Sequence, residues 1–128
     1  MNLYRVILPV TDINAAAAFY GEVVGEPGTR VSGGRHYFGG DSNGGAILAC
    51  YEPAADGDSV GDGWSHHPSQ YLYFSVPDLK VARDACLAAG ATNVTEIRSM
   101  PWGETMFYAL DPFANPISFV EAGTEFKG

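Results

Sequence analysis

The chain has 128 residues, of which 46% are hydrophobic and 12% aromatic, enough apolar material for the core of one compact domain. The 15 acidic and 7 basic residues give a formal charge of −8, which disfavours nucleic acid and anionic membrane surfaces as partners. No apolar run approaches the roughly 20 residues of a membrane span, and the first residues lead directly into a predicted strand, so we expect a cytoplasmic protein.

The first half of the chain predicts one helix and four strands. Val6 and Leu8 alternate with Arg5 and Ile7, which indicates a strand with two different faces. Asp12 is a candidate N-cap for the helix that follows. Glycine-rich turns at 33–34 and 41–44 separate the later strands. In chain order, the predicted elements are a strand at 3–10, a helix at 13–24, and strands at 29–32, 36–39 and 45–51.

The second half repeats this order. The motif Val10-Thr11-Asp12-Ile13 recurs 66 residues later as Val76-Pro77-Asp78-Leu79, and each copy joins a strand to an alanine-rich helix. A repeat of this length predicts two tandem βαβββ modules. The predicted elements are a strand at 71–76, a helix at 79–89, and strands at 93–99, 104–110 and 116–121.

The stretch between the two modules is rich in glycine and indicates a solvated linker that contains Asp56, Asp58 and Asp62. Cys50 and Cys86 fall in a predicted strand and a predicted helix, so we expect buried free thiols. We therefore predict one α+β domain over residues 1–128, with module one at 1–53, the linker at 54–69 and module two at 70–124. Helices on one face of each sheet leave the other faces to enclose a cleft.

The closing stretch 111–118, DPFANPIS, and the two strand-Val-x-Asp-helix openings resemble the vicinal oxygen chelate superfamily. This group includes lactoylglutathione lyases, extradiol dioxygenases, fosfomycin-resistance enzymes and bleomycin-binding resistance proteins. The resemblance covers essentially the whole chain. It implies the glyoxalase/bleomycin resistance/dioxygenase fold, in which the tandem modules form a curved mixed sheet with an enclosed cleft.

The resemblance also implies where a metal would be held, because enzymatic members bind a divalent ion through His, Glu or Gln on the first and last strands of each module. Here the matching positions are Arg5, Tyr71 and Ser118, with either Ala49 or Leu48 as the fourth. An arginine is a permanent cation and cannot bind a metal, and the other side chains are poor or absent donors. We therefore expect no metal and no other cofactor, as in the metal-free, bleomycin-resistance-like branch.

Strand alternation predicts which side chains line the cleft. Arg5, Ile7, Tyr71, Tyr73 and Ser118 share the face of the family's ligand positions, and Val6, Leu8, Leu72, Phe74, Ile117 and Phe119 share the opposite face. His36 and Trp102, with Tyr37, are placed near the rim. Such a pocket suits a flat or aromatic ligand.

Arg5 has two interpretations, because a guanidinium in a partly dry cleft needs an anionic partner. The partner is either an internal acid, which we favour, or the ligand. The adjacent His66 and His67 lie in the linker, where we favour a solvent-exposed or lid-forming pair over a histidine-based metal site.

Two functions stay open at this point. One is a protein that binds a small organic molecule without changing it; the other is a lyase, isomerase or dioxygenase with atypical metal ligands or none, in which a carboxylate such as Glu104 or Glu121 acts in acid–base catalysis. Open sheet edges favour a homodimer.

Overall fold

The structure, a computed structural model, describes residues 1–40, 45–60, 64–66 and 68–127. The turn predicted at 41–44 lies outside the described residues, as do Asp62 and His67 of the predicted linker. Within the described part of the chain, no helix has the length and apolar character needed to cross a membrane. The chain divides into two compact units, Met1–His66 and His67–Gly128. Each unit is described below by itself.

The first unit has one helix against a four-stranded mixed sheet. The strand order is β1-β4-β3-β2, with β1 and β4 parallel and the other pairs antiparallel. The elements are β1 (Arg5–Pro9), α1 (Ile13–Val24), β2 (Thr29–Ser32), β3 (Arg35–Gly39), β4 (Ile47–Tyr51) and a 3₁₀ helix (Pro53–Asp56). The helix has the predicted bounds, while the first and last strands are shorter than predicted.

Asp12 and Gly25, which the sequence indicates, fix the two ends of α1, and Glu52 adds a contact that the sequence does not indicate. The Asp12 carboxylate accepts a hydrogen bond from the backbone N–H of Ala15 at 3.0 Å, and the Glu52 carboxylate accepts one from that of Ile13 at 2.8 Å. These acceptors satisfy N–H groups that a helix N-terminus leaves free. Gly25 ends the helix in the left-handed region at φ 83°, where a residue without Cβ is favoured.

The second unit repeats this architecture, with strand order β5-β8-β7-β6, in which the edge strand β5 is parallel to β8 and the other pairs are antiparallel. Its elements are β5 (Leu72–Val76), α2 (Leu79–Ala88), β6 (Arg98–Ser99), β7 (Thr105–Leu110) and β8 (Pro116–Glu121). Asp78 caps α2 by accepting from the backbone N–H of Lys80 and Val81. The α+β fold of two βαβββ modules is therefore confirmed.

The predicted strand at 93–99 is wrong over most of its length, since only Arg98–Ser99 forms a regular ladder with β7. Asn93 has a positive φ of 51°, which a strand does not accommodate. The Thr95 hydroxyl accepts from the backbone N–H of Tyr108 at 2.9 Å and so replaces a ladder carbonyl. Most of this segment therefore runs beside β7 with an irregular backbone.

The helix-facing sides of the sheets form the cores, as alternation predicts. In the second unit Phe119 stacks between Phe74 and Phe107, with ring centroids 5.3 and 5.0 Å apart, and α2 packs on β7 and β8. Cys50 and Cys86 are buried free thiols, as predicted. Desolvation raises the pKa of Cys86 to about 11, so this thiol stays protonated.

The start of the predicted linker is held against the first unit, which corrects the expectation that Asp56 is solvated. The Asp56 carboxylate accepts hydrogen bonds from the Ser32 hydroxyl at 2.7 Å and the Gly34 backbone N–H at 2.6 Å, and it pairs with Arg35. The Ser32 hydrogen bond is the largest cause that lowers the pKa of Asp56. Through these contacts Asp56 links the 3₁₀ helix to the turn between β2 and β3.

Candidate functional site

Three tyrosines lie on the sheet face of the second unit that points away from α2. Tyr73 in β5 and Tyr108 in β7 are both register partners of Ser118 in the strand between them. Tyr71 directly precedes β5, and its ring meets that of Tyr108 edge to face at 5.9 Å. The structure thus brings together three of the predicted site residues, Tyr71, Tyr73 and Ser118, and adds Tyr108.

The tight turn 111–115 sets this arrangement. The buried Asp111 carboxylate accepts hydrogen bonds from the backbone N–H groups of Phe113 and Asn115, each at 2.8 Å, and from the Asn115 amide at 2.9 Å. Asp111 therefore fixes the hairpin between β7 and β8. The register of that hairpin places Tyr108 beside Ser118.

The tyrosines line a pocket of about 540 Å³, a volume in the range of small-molecule sites. None of the residues that line it carries a charge at neutral pH. The lining consists of Tyr71, Tyr73, Asn93, Thr95, Tyr108, Ala109 and Leu110. The irregular segment beside β7 supplies Asn93 and Thr95, so the backbone departure from a regular strand forms one wall.

The hydroxyl groups on this face interact with one another. A hydrogen bond with Tyr73 is the largest cause that raises the pKa of Tyr108, followed by desolvation and by the negative charges that Tyr73 and Glu104 can carry. A raised pKa keeps the Tyr108 phenol protonated at neutral pH. It can donate or accept a hydrogen bond, and it is a poor general base.

Ser118 lies between these tyrosines and is fully buried. Its Oγ has no hydrogen-bond partner among the described residues. Buried hydroxyls in folded proteins are nearly always paired, so an orphaned one marks a position of interest. The residue occupies the position where the resemblance expects a metal-binding glutamate.

The first unit has different side chains on the corresponding sheet face, the one that points away from α1. Arg5 and Ile7 in β1 are exposed, and Ala49 is the register partner of both Ile7 and Tyr37. This register settles the fourth family position as Ala49, because Leu48 pairs with Val6 on the helix side. The row Ile7, Ala49, Tyr37 is the counterpart of Tyr73, Ser118, Tyr108.

These positions do not fit the superfamily's divalent metal. In the first unit they are a guanidinium and a methyl group, and in the second a neutral phenol and a neutral hydroxyl. None of these is the imidazole or carboxylate that such an ion requires. Within the described ranges, no group of three or more His, Cys, Asp or Glu side chains is arranged to hold a metal.

Arg5 makes contacts with tyrosines. Its Nη1 donates to the Tyr37 hydroxyl at 3.4 Å, and its guanidinium lies 5.3 and 5.7 Å from the ring centroids of Tyr4 and Tyr37. No carboxylate of the described residues lies within ion-pair distance of it, so the internal acid that we favoured is not found among them. Whether Arg5 binds the ligand stays a prediction.

Neither His36 nor Trp102 is among the described residues that line the pocket. His36 is buried on the helix side of β3, where Nε2 donates to the Pro27 carbonyl at 2.8 Å and Nδ1 accepts from Arg30 Nε at 3.3 Å. Both ring nitrogens are therefore used within the first unit. Trp102 is 59% exposed in the turn before β7, and its indole N–H donates to Glu104 at 2.6 Å.

Comparison with known proteins agrees with this fold. The model of the Glyoxalase/Bleomycin resistance protein/Dioxygenase superfamily matches residues 2–119. A glyoxalase-related enzyme from Fulvimarina pelagi has a TM-score of 0.76 at 20% identity, covering 100% of this chain and 93% of its own. A glyoxalase/bleomycin resistance protein from Albidiferax ferrireducens T118 has a TM-score of 0.74 at 19% identity, covering 92% and 97%. A lactoylglutathione lyase from Agrobacterium tumefaciens has a TM-score of 0.65 at 19% identity, covering 93% and 92%. No curated protein matches the chain.

Proposed function

Because this chain belongs to the glyoxalase/bleomycin resistance protein/dioxygenase superfamily, we propose that it binds a small organic molecule in the pocket of its second unit, without the superfamily's metal centre. One observation carries this proposal. The superfamily's two ligand positions in this unit are Tyr71 and Ser118, which share a sheet face with Tyr73 and Tyr108. The three tyrosines line a pocket on this face, and Ser118 is buried between them. The position of a metal centre is thus occupied by groups suited to an organic ligand.

The side chains favour a ligand with a flat apolar body. Tyr71 and Tyr73 are 49% and 52% exposed, which is unusual for aromatic rings at adjacent positions of one sheet face. Such rings stack on a planar ligand and offer hydroxyl groups for a few hydrogen bonds. Covering them with a ligand removes apolar surface from water, which supplies binding energy.

The competing function is a lyase, isomerase or dioxygenase reaction of the same superfamily. A metal-independent reaction of this kind needs a general base within reach of the substrate. The described residues that line the pocket include no carboxylate, imidazole or thiol, and Tyr108 is protonated at neutral pH. This chemistry supports binding without turnover.

A thermal-shift screen tests the proposal on the full chain, with aromatic and glycopeptide antibiotics, glutathione conjugates and catechols as probes. A probe at a hundred times its Kd stabilises the folded state by about 2.7 kcal/mol, which raises the melting temperature by several degrees. Each binding probe is then incubated with the protein and recovered. Recovery of the unchanged probe supports binding alone, and its conversion to product supports the competing enzyme function.

Tyr71→Ala locates the site. Since Tyr71 is half-exposed, its truncation should cost about 2 kcal/mol of stability, below the roughly 3–5 kcal/mol of a fully packed aromatic, and should abolish the thermal shift. Leu87→Ala is the matched control, because Leu87 is 50% exposed on α2 and lies outside the pocket lining. If no probe binds and Tyr71→Ala costs the full core penalty, the pocket is packed shut and the proposal fails.

A further inference from the structure

A β-bulge beside β7 supplies one wall of the pocket. Before the bulge, Thr92 exchanges two backbone hydrogen bonds with Leu110, at 3.0 and 2.8 Å. After it, the backbone N–H of Thr95 donates to the Tyr108 carbonyl at 2.9 Å. The wall segment takes three residue steps between these two anchors and β7 takes two, so the segment contains one extra residue. Bulges of this kind change the direction of a side chain and are frequent beside functional sites.

Asn93 lies within this bulge and has a left-handed backbone conformation, at φ 51°. It is exposed and lines the pocket, and its side-chain amide has no hydrogen-bond partner among the described residues. Asparagine tolerates a positive φ better than most residues, but glycine adopts it without strain. The backbone alone therefore does not require an amide at this position, and the side chain is free to bind a ligand.

We propose that Asn93 determines the specificity of the pocket, and that the ligand is a flat aromatic molecule whose edge carries an N–H next to a C=O, as in a lactam. The inference rests on the proposed function, because it concerns the ligand of the same pocket. A side-chain amide offers a carbonyl acceptor and an NH2 donor side by side. The complementary group is a donor and an acceptor at the same spacing, which together make two parallel hydrogen bonds. The exposed rings of Tyr71 and Tyr73, which line the same pocket, are then available to the ring of the ligand.

The test compares two probes of the same shape, 2-quinolinone and coumarin. They differ at one ring position, where the lactam has an N–H and the lactone has an oxygen, so only 2-quinolinone can donate to the Asn93 carbonyl. Their dissociation constants are measured with the full chain at pH 7. We expect 2-quinolinone to bind about five- to tenfold more tightly than coumarin, the gain of one hydrogen bond.

Two variants of Asn93 remove different parts of the amide and keep the backbone, because glycine and aspartate both accept a positive φ. In Asn93→Gly the urea midpoint should stay close to that of the wild type, while the preference for 2-quinolinone should fall to within about twofold. Asn93→Asp keeps an acceptor oxygen and loses the NH2 donor. It should retain the preference, but both probes should bind at least about fivefold more weakly, since the carbonyl that they share loses its partner.

Asn2→Gly is the matched control, because Asn2 is an exposed asparagine that is not among the residues lining this pocket. It should leave both dissociation constants unchanged. An equal loss of affinity in Asn2→Gly and Asn93→Gly would overturn the assignment of specificity to Asn93.

Each remaining outcome decides a separate point. Equal affinities of the wild type for the two probes overturn the lactam class of ligand while the proposed function stands. A full preference retained in Asn93→Gly overturns the role of Asn93, and unchanged affinities in Asn93→Asp overturn the role of its NH2 donor. If neither probe binds but the screen finds another ligand, this inference alone fails. If the screen also finds no ligand, the proposed function fails with it.

Discussion

Replacing Gly28 by alanine should destabilise the first unit strongly, because this glycine combines two constraints. Its φ is +66°, in the left-handed region. A Cβ built on it would lie 2.7 Å from the Tyr37 carbonyl oxygen, 2.7 Å from Phe38 Cε1 and 2.8 Å from His36 Nε2. The residue thus allows the chain after α1 to approach β3 closely, where the Pro27 carbonyl accepts the His36 hydrogen bond.

The magnitude follows from adding these constraints. A left-handed conformation costs a non-glycine residue about 1 kcal/mol, and overpacking of this kind costs about 1–3 kcal/mol more. Gly25→Ala separates them, because Gly25 has a φ of +83° but no atom within 4 Å of its Cβ position. We expect losses of about 1 kcal/mol for Gly25→Ala and about 2–4 kcal/mol for Gly28→Ala. Urea unfolding measures both as shifts of the midpoint at constant slope. Equal midpoints for the two variants would refute the close-approach argument.

Four further predictions concern metal content, assembly and charge. Protein purified without chelator should contain no stoichiometric Zn, Ni, Fe or Mn, and chelator should leave its melting temperature unchanged; one equivalent per chain contradicts the metal-free proposal. Both sheets are open, so sedimentation at micromolar concentration should show a homodimer, and a monomer contradicts this. Arg5→Ala should lower the free energy of unfolding by less than about 1 kcal/mol, since Arg5 contacts only exposed rings and a hydroxyl group. A larger loss of stability in urea unfolding would indicate a hidden acid partner. A loss of ligand affinity in this variant would add Arg5 to the site. The lowered pKa of Asp56 stabilises the fold above the unfolded value of about 3.9. That stability is lost as pH falls through the folded pKa, so Asp56→Asn should show a weaker acid dependence than the wild type in pH-dependent unfolding, and an unchanged dependence argues against the role of Asp56.

Local chemistry explains why some elements could be predicted from the sequence with their observed bounds. The helix at 13–24 has an N-cap aspartate before it and a glycine after it, and both act through contacts within a few residues. The strand at 116–121 follows a turn that the Asp111 side chain organises. Alternation also assigned Tyr71, Tyr73 and Ser118 to one face, because the two-residue period of a strand is independent of its neighbours.

Sequence reasoning missed two features that local rules could have found, and one that depends on a contact between separate segments. His36 was placed near the rim with Tyr37, although adjacent strand residues point to opposite faces, so only one of them could be there. Tyr108 was overlooked, yet it is as far before the centre of the turn at 111–115 as Ser118 is after it. Hairpin symmetry could have found it. Thr95 gave no such signal, because a side chain that replaces a ladder acceptor is not visible in a hydrophobic pattern.

The placement of the pocket on a sheet bears on how its specificity can change. Tyr73 and Tyr108 belong to strands that pair with β8 on either side, so their backbone positions are set by strand pairing and do not depend on the side chains that they carry. Exchanging an outward-facing side chain there alters the size and polarity of the cavity while the core beneath keeps its packing. The irregular wall at Asn93 and Thr95 lacks that independence, because Thr95 also supports the edge of β7. A designer who wants a new ligand should therefore vary the strand tyrosines first and leave the wall intact.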